Sequence, residues 1–107
     1  MQICKTKNRK FRGGNKMKYE LTNETKQWGG RTLHRIKALK DFRYVSKGDL
    51  GGWIEKESNL SQYGTCWVFD DAVVSGDARV YDNAMVYGDA KVFDNAMVYG
   101  DAKVFDN

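Results

Sequence analysis

The run Cys66-Trp-Val-Phe-Asp-Asp-Ala72-Val-Val-Ser-Gly-Asp-Ala78-Arg-Val-Tyr-Asp-Asn-Ala84-Met-Val-Tyr-Gly-Asp-Ala90-Lys-Val-Phe-Asp-Asn-Ala96-Met-Val-Tyr-Gly-Asp-Ala102-Lys-Val-Phe-Asp-Asn107 divides into seven hexads. Position one is Cys or Ala. Position three is always Val: Val68, Val74, Val80, Val86, Val92, Val98 and Val104. Position four is usually aromatic, and positions five and six are Gly or Asp followed by Asp or Asn. The segments Ala84–Asn95 and Ala96–Asn107 are identical. A fixed period of this kind marks a repeat architecture and outranks local propensity.

The hexad has a simple physical reading. Ala-x-Val forms a short strand whose first and third residues face one side. The following Gly-Asp or Asp-Asn pair turns the chain, because Gly, Asn and Asp tolerate left-handed backbone at low cost. Three such sides close a triangular coil of about eighteen residues, and coils stack at the strand spacing of roughly 4.8 Å. The expected class is all-β: a parallel β-solenoid of hexapeptide repeats carrying a small N-terminal β cap. The six-residue period excludes a pentapeptide solenoid, and the Gly/Asp/Asn punctuation excludes helix.

Two periods interact. The hexads alternate in type every twelve residues, whereas the coil repeats about every eighteen. Stacked residues therefore come from opposite types. Arg79 is expected beneath Met97, Met85 beneath Lys103, and Tyr87 between Phe69 and Phe105. At position five Asp alternates with Gly, which limits like-charge contacts between neighbouring strands.

Upstream of the repeats the pattern changes. Residues 17–59 form the expected cap. Lys18–Thr22 and Arg31–Leu39 read as strands, joined through Asn23-Glu24 and Gly29-Gly30 as a hairpin. Gly48–Thr65 has the length of one coil and reads as a degenerate first turn, with the solenoid proper at residues 60–107. The tryptophans of the head, Trp28 and Trp53, are expected to cap the solenoid core.

Charge is unevenly spread. The chain has 107 residues, 41% hydrophobic, no proline, and a net charge of +4. Residues 1–16 carry six basic residues and no acid, whereas residues 60–107 carry three basic and eight acidic ones. Arg12-Gly13-Gly14, reverse-translated, contains a bacterial ribosome-binding sequence just ahead of the Met17 codon. We therefore expect Met17 to be the natural start and residues 1–16 to be a translated, disordered leader. The alternative is a native basic arm of the nucleic-acid-binding kind.

Several chemistries find little support. No apolar run approaches the roughly 18 residues of a membrane span, and the N-terminus lacks the apolar region of a secretory signal. The cytoplasm (a host's, for a phage-encoded chain) is the expected location. Two cysteines and one histidine give no metal-ligand spacing, so no metal or cofactor is expected. Acyl transfer needs a general base, and the single histidine, His34, lies on a head strand rather than in the solenoid. Cys66 holds the small inward position and reads as core. The turn aspartates are explained by backbone conformation, and the Gly-Gly pairs lack a phosphate-loop context.

The candidate binding residues are the outward aromatics Phe69, Tyr81, Tyr87, Phe93, Tyr99 and Phe105, with the turn acids Asp77, Asp89 and Asp101. Each aromatic also has an ordinary role in cross-strand stacking. These features describe a non-enzymatic binding or scaffold protein. Self-association through the C-terminal coil is expected, because open strand edges invite pairing, and a host protein is a further candidate partner. Second in rank comes an acidic mimic of nucleic acid that inhibits a host protein. Behind it stand a degenerate acyltransferase-like protein and direct nucleic-acid binding through Trp28 or Trp53.

The string Gly48-Asp-Leu-Gly-Gly-Trp-Ile-Glu-Lys-Glu-Ser-Asn-Leu-Ser-Gln-Tyr-Gly-Thr-Cys-Trp-Val-Phe-Asp-Asp-Ala72, followed by Gly-Asp-Ala and Asp-Asn-Ala hexads, resembles phage-borne and bacterial hexapeptide-repeat proteins of the YdcK-like type. The resemblance covers roughly Met17 to the C-terminus and is most specific at Gly-Gly-Trp…Cys-Trp. It implies a left-handed parallel β-helix. It implies no activity, because transferase labels on such proteins rest on a shared fold.

Overall fold

The structure is a computed structural model that describes residues 17–106; the expected leader at residues 1–16 lies outside them. The described residues form ten strands and one short 3-10 turn. A hairpin of β1 (Tyr19–Trp28) and β2 (Arg31–Ala38) leads to β3 (Leu50–Ile54) and the 3-10 turn Glu57–Asn59. Seven short strands follow: β4 (Trp67–Val68), β5 (Val73–Val74), β6 (Arg79–Val80), β7 (Met85–Gly88), β8 (Lys91–Val92), β9 (Met97–Val98) and β10 (Lys103–Asp106).

Each hexad contributes one strand, and strands three hexads apart pair in parallel. Trp67 pairs with Met85 and Met85 with Lys103, Val73 with Lys91, and Arg79 with Met97. Among the hexads the register step is always eighteen residues. Three faces result: β3–β5–β8, β4–β7–β10 and β6–β9. Inside run columns of branched side chains, Ile54–Val74–Val92, Leu60–Val80–Val98 and Val68–Val86–Val104, all joined in one core cluster with Cys66, Ala72, Ala78, Ala84 and Ala90. Stacking identical small shapes buries each one on both sides. This is how two-residue strands, too short to hold alone, become a core.

The corners explain the Asp/Gly alternation more fully than charge spacing does. Asp70, Asp82 and Asp94 are left-handed, as are Gly64, Gly76, Gly88 and Gly100. The Asp70 carboxylate accepts the Gly88 N–H at 3.1 Å, and the Asp82 carboxylate accepts the Gly100 N–H at 3.1 Å. An aspartate at one corner thus satisfies a backbone donor in the coil above.

The first coil departs from the repeat. Trp53 pairs with Val73 and Leu60 bridges to Val80, a step of twenty. The step returns to eighteen at Trp67–Met85, so two extra residues sit in the corner around Ser61–Thr65. The expected eighteen-residue first turn is therefore lengthened by this corner. Gly51 and Gly52 let β3 approach closely: a Cβ on either would lie 2.6 Å from the Val68 or Ala72 carbonyl oxygen.

The head also differs from expectation. β1 continues through Asn23-Glu24 to Trp28. Its register shifts between Leu21 and Thr25, so Asn23-Glu24 is a bulge and the left-handed Gly29-Gly30 pair makes the turn. Trp28 and Trp53 do not cap the solenoid core. Trp53 packs with Leu33 and Val73 in a separate outer cluster flanked by Trp28. Period two places Trp53 outward because Ile54 points inward. The aromatics that close the core's lower end are Tyr19, Phe42 and Trp67, with Trp67 edge-on to both others at 6.1 and 5.3 Å between ring centroids.

Candidate binding surface

The outward aromatics form ladders. On the β4–β7–β10 face, Tyr87 meets Phe69 edge-on at 6.4 Å and stacks on Phe105 at 5.3 Å. On the β6–β9 face, Tyr81 stacks on Tyr99 at 5.2 Å with planes 8° apart. Phe93, on the third face, lies 6.0 Å from Trp28. Phe69, Tyr81 and Tyr87 are half-buried, while Phe93, Tyr99 and Phe105 are exposed. The three exposed rings belong to one coil, one on each face. The outer edges of β8, β9 and β10 carry no further strand among the described residues.

The turn acids are less uniform. Asp77 pairs with Lys56 at 3.0 Å, and that ammonium holds its carboxyl below the ordinary range. Asp101 lies 3.5 Å from the Asn83 amide, which in turn contacts Thr65 at 2.9 Å. Asp89 is exposed and accepts no side-chain bond among those described. Asp71 pairs with Arg35 of the head at 3.4 Å. The acids thus alternate with amide, hydroxyl and cationic neighbours instead of forming an unbroken anionic row.

Sequence reasoning did not find the corner at Ser61–Thr65, which holds the most elaborate polar network. Lys18 is buried, and its ammonium donates to the carbonyls of Cys66 at 2.8 Å, Gly64 at 3.4 Å and Tyr63 at 3.5 Å. It also lies 3.3 Å from the Cys66 thiol. Burial lowers the Lys18 pKa and pushes the Cys66 thiol up. The Gln62 side chain accepts the Lys18 N–H at 2.7 Å and donates to the Tyr19 carbonyl at 3.3 Å. The Tyr19 hydroxyl donates to Glu57 and Leu60 carbonyls. The head therefore pins the irregular corner in place. The one signal in the sequence was the break in the hexad count between Leu60 and Cys66.

Beside this corner lies a cavity of about 460 Å³, lined by residues 57–58 and 60–63 on one side and by Arg79, Val80, Tyr81 and Met97 on the other. His34 lies elsewhere, on β2, paired with Thr25 and Ile54 and half-buried. Trp53, with Lys26 at 4.6 Å and Arg35 at 4.7 Å over its ring, is 6% exposed and offers no free face for a base. Among the described residues no group of three His, Cys, Asp or Glu side chains could hold a metal ion. Among the described residues no helix is long and apolar enough to cross a membrane.

Parallel two-residue strands at an eighteen-residue step, with an inward Val column and turning Gly/Asp corners, define a β-solenoid repeat protein. Residues 78–92 match the YdcK β-solenoid repeat family. The chain is also 43% identical over 54 residues to the protein named "Uncharacterized acetyltransferase YdcK" of Escherichia coli (strain K12). That match covers 44% of this chain and 17% of the relative. Over these segments the chain is similar to YdcK-like hexapeptide-repeat proteins, and it spans less than a fifth of that relative's length.

Proposed function

We propose that this chain is a non-enzymatic β-solenoid that binds a partner and serves as a scaffold, self-associating through its C-terminal coil. The observation that carries the reading is the coil of residues 90–105. Its aromatics Phe93, Tyr99 and Phe105 and its Met97 are each about half exposed or more, from 48% to 59%. Ala96 and Ala102, at inward positions, are exposed with them. Apolar side chains and strand edges together are the features that drive strand-edge pairing. A second copy of the coil would cover both. Left-handed winding, a solenoid beginning near residue 60, a phage-related setting and a cytoplasmic location belong to the same reading; the phage-related setting rests on the resemblance of Gly48–Ala72 and the hexads after it.

Sedimentation of the full chain over a range of concentrations tests the proposal. A dimer that Val98→Asp returns to monomer supports it; a monomer at every concentration overturns it. Acetyl transfer is favoured only by the name of the relative, of which this chain spans 17%. Turnover of acetyl-CoA that falls with His34→Ala would reverse the non-enzymatic reading.

A further inference from the structure

We propose that the cavity beside the Ser61–Thr65 corner binds a small aromatic acid, a flat ring with a carboxylate at one edge and a hydrogen-bond donor opposite. The inference is independent of the scaffold reading and rests on four observations.

The first is a missing rung. The ladder on the β4–β7–β10 face has three aromatic tiers, Phe69, Tyr87 and Phe105. The ladder on the β6–β9 face has two, Tyr81 and Tyr99. The residue beneath Tyr81 is Ser61: Leu60 bridges to Val80, and the Ser61 N–H donates to the Val80 carbonyl at 2.9 Å. A hydroxymethyl group cannot continue an aromatic stack. One face of the Tyr81 ring is covered by Tyr99, and the other is turned toward the tier where the cavity lies. A flat ring placed there takes the offset-stacked arrangement aromatic pairs prefer.

The second is size and origin. A volume of about 460 Å³ falls within the usual range for small-ligand sites. The cavity forms where the repeat is broken twice, by the 3-10 turn Glu57–Asn59 and by the lengthened corner. A regular coil would leave no gap.

The third is charge. Arg79 lines the cavity, is exposed, and makes no hydrogen bond or close ion pair among the described residues, acting on Asp77 only at longer range. Its donors match a carboxylate, which Arg holds in a two-pronged pair. Glu57 supplies an acceptor in the same lining, its side chain also without a described partner. One cation and one anion without close ion pairs select a ligand with an anionic group and a donor.

The fourth is rigidity. Lys18, Tyr19 and Gln62 fix the corner by the bonds described above, so the wall is built before any ligand arrives. A preformed wall reduces the ordering cost of binding.

Titration of the full chain with 4-hydroxybenzoate, followed by two-dimensional amide NMR, tests the assignment. Saturable shifts are expected at residues 57–63, 79–81 and 97. Ser61→Tyr supplies the missing rung and is expected to remove binding without lowering the unfolding midpoint. Tyr81→Leu should weaken binding by about threefold to tenfold, the value of one aromatic pair. Arg79→Leu should weaken it by about tenfold. 4-Hydroxycyclohexanecarboxylate, with the charge and the hydroxyl but no flat ring, should bind less well by the Tyr81→Leu factor. The assignment is overturned by non-saturating shifts, by shifts elsewhere in the chain, by equal affinity for the two acids, or by undiminished binding to Ser61→Tyr and Arg79→Leu.

Discussion

Replacing Gly64 by Ala tests the stacked-corner reading most directly. Gly64 is left-handed at φ +73°, a conformation that costs an L-residue about 1–2 kcal/mol. A Cβ at that position would sit inside the van der Waals radius of the Asp82 carbonyl oxygen in the coil above. That oxygen cannot simply move, because it accepts the Thr65 N–H at 3.2 Å and the Cys66 N–H at 3.1 Å. Relieving the clash loosens both bonds, each contributing about 1 kcal/mol net. The expected loss is about 3–4 kcal/mol in all, a large share of the ~5–15 kcal/mol total stability of a small domain. Gly100 provides the control. Its φ is +64°, yet nothing lies within 4 Å of an added Cβ. Gly100→Ala should therefore cost only the left-handed term, about 1–2 kcal/mol. Urea unfolding followed by tryptophan fluorescence gives both values from the midpoints and slopes. Equal losses, within about 0.5 kcal/mol, would refute the argument that the corner is held by its neighbour above.

Three further outcomes are expected. Val86→Ala, at a fully buried position in the middle of the Val68–Val86–Val104 column, should cost about 2 kcal/mol, read from the same urea transitions. Glu55 accepts the Gly76 N–H at 2.7 Å, and that bond, with the Arg31 guanidinium beside it, lowers its carboxyl pKa from the ordinary 4.5. Its stabilisation is complete above pH 4.5 and fades as pH falls through the lowered folded value; thermal melts of Glu55→Gln should lose that part of the acid dependence. For Lys18, burial lowers the pKa from 10.5, so the unfolded chain holds more protons just below that value. Stability from Lys18 thus rises with pH from its lowered folded pKa toward 10.5. Lys18→Met should abolish that rise and, by stranding the Cys66 carbonyl, cost about 1–3 kcal/mol at neutral pH, both measurable by melts across an alkaline series.

The solenoid was legible because its physics is local and repeated. Inward Val at the third position of each hexad and turning residues at five and six fix both strand and corner within six residues. The eighteen-residue step then follows from three sides per coil, and with it the pairing of Arg79 with Met97 and of Tyr87 with Phe69 and Phe105. The head was less legible. Its strands were visible, but Trp53 facing outward against two cations depends on which side of β3 the hairpin covers, and no short-range pattern encodes that. Trp67, Val73 and Met85, at position two, are buried for the same reason, being covered by neighbours distant in sequence or in the next coil.

What the sequence determined by itself was therefore the repeat, its inward and outward sides, and the alternation of Gly and Asp at the corners, since each is set by residues within one or two hexads. The tertiary structure alone decided the site. The two-residue excess between Leu60 and Cys66 has no meaning until the coils are stacked. Only then does Ser61 fall beneath Tyr81, Arg79 and Glu57 line one cavity, and Lys18, more than forty residues away, reach the corner that walls it. A cavity is a failure of neighbouring tiers to match, and such a mismatch exists only between segments the fold has brought together.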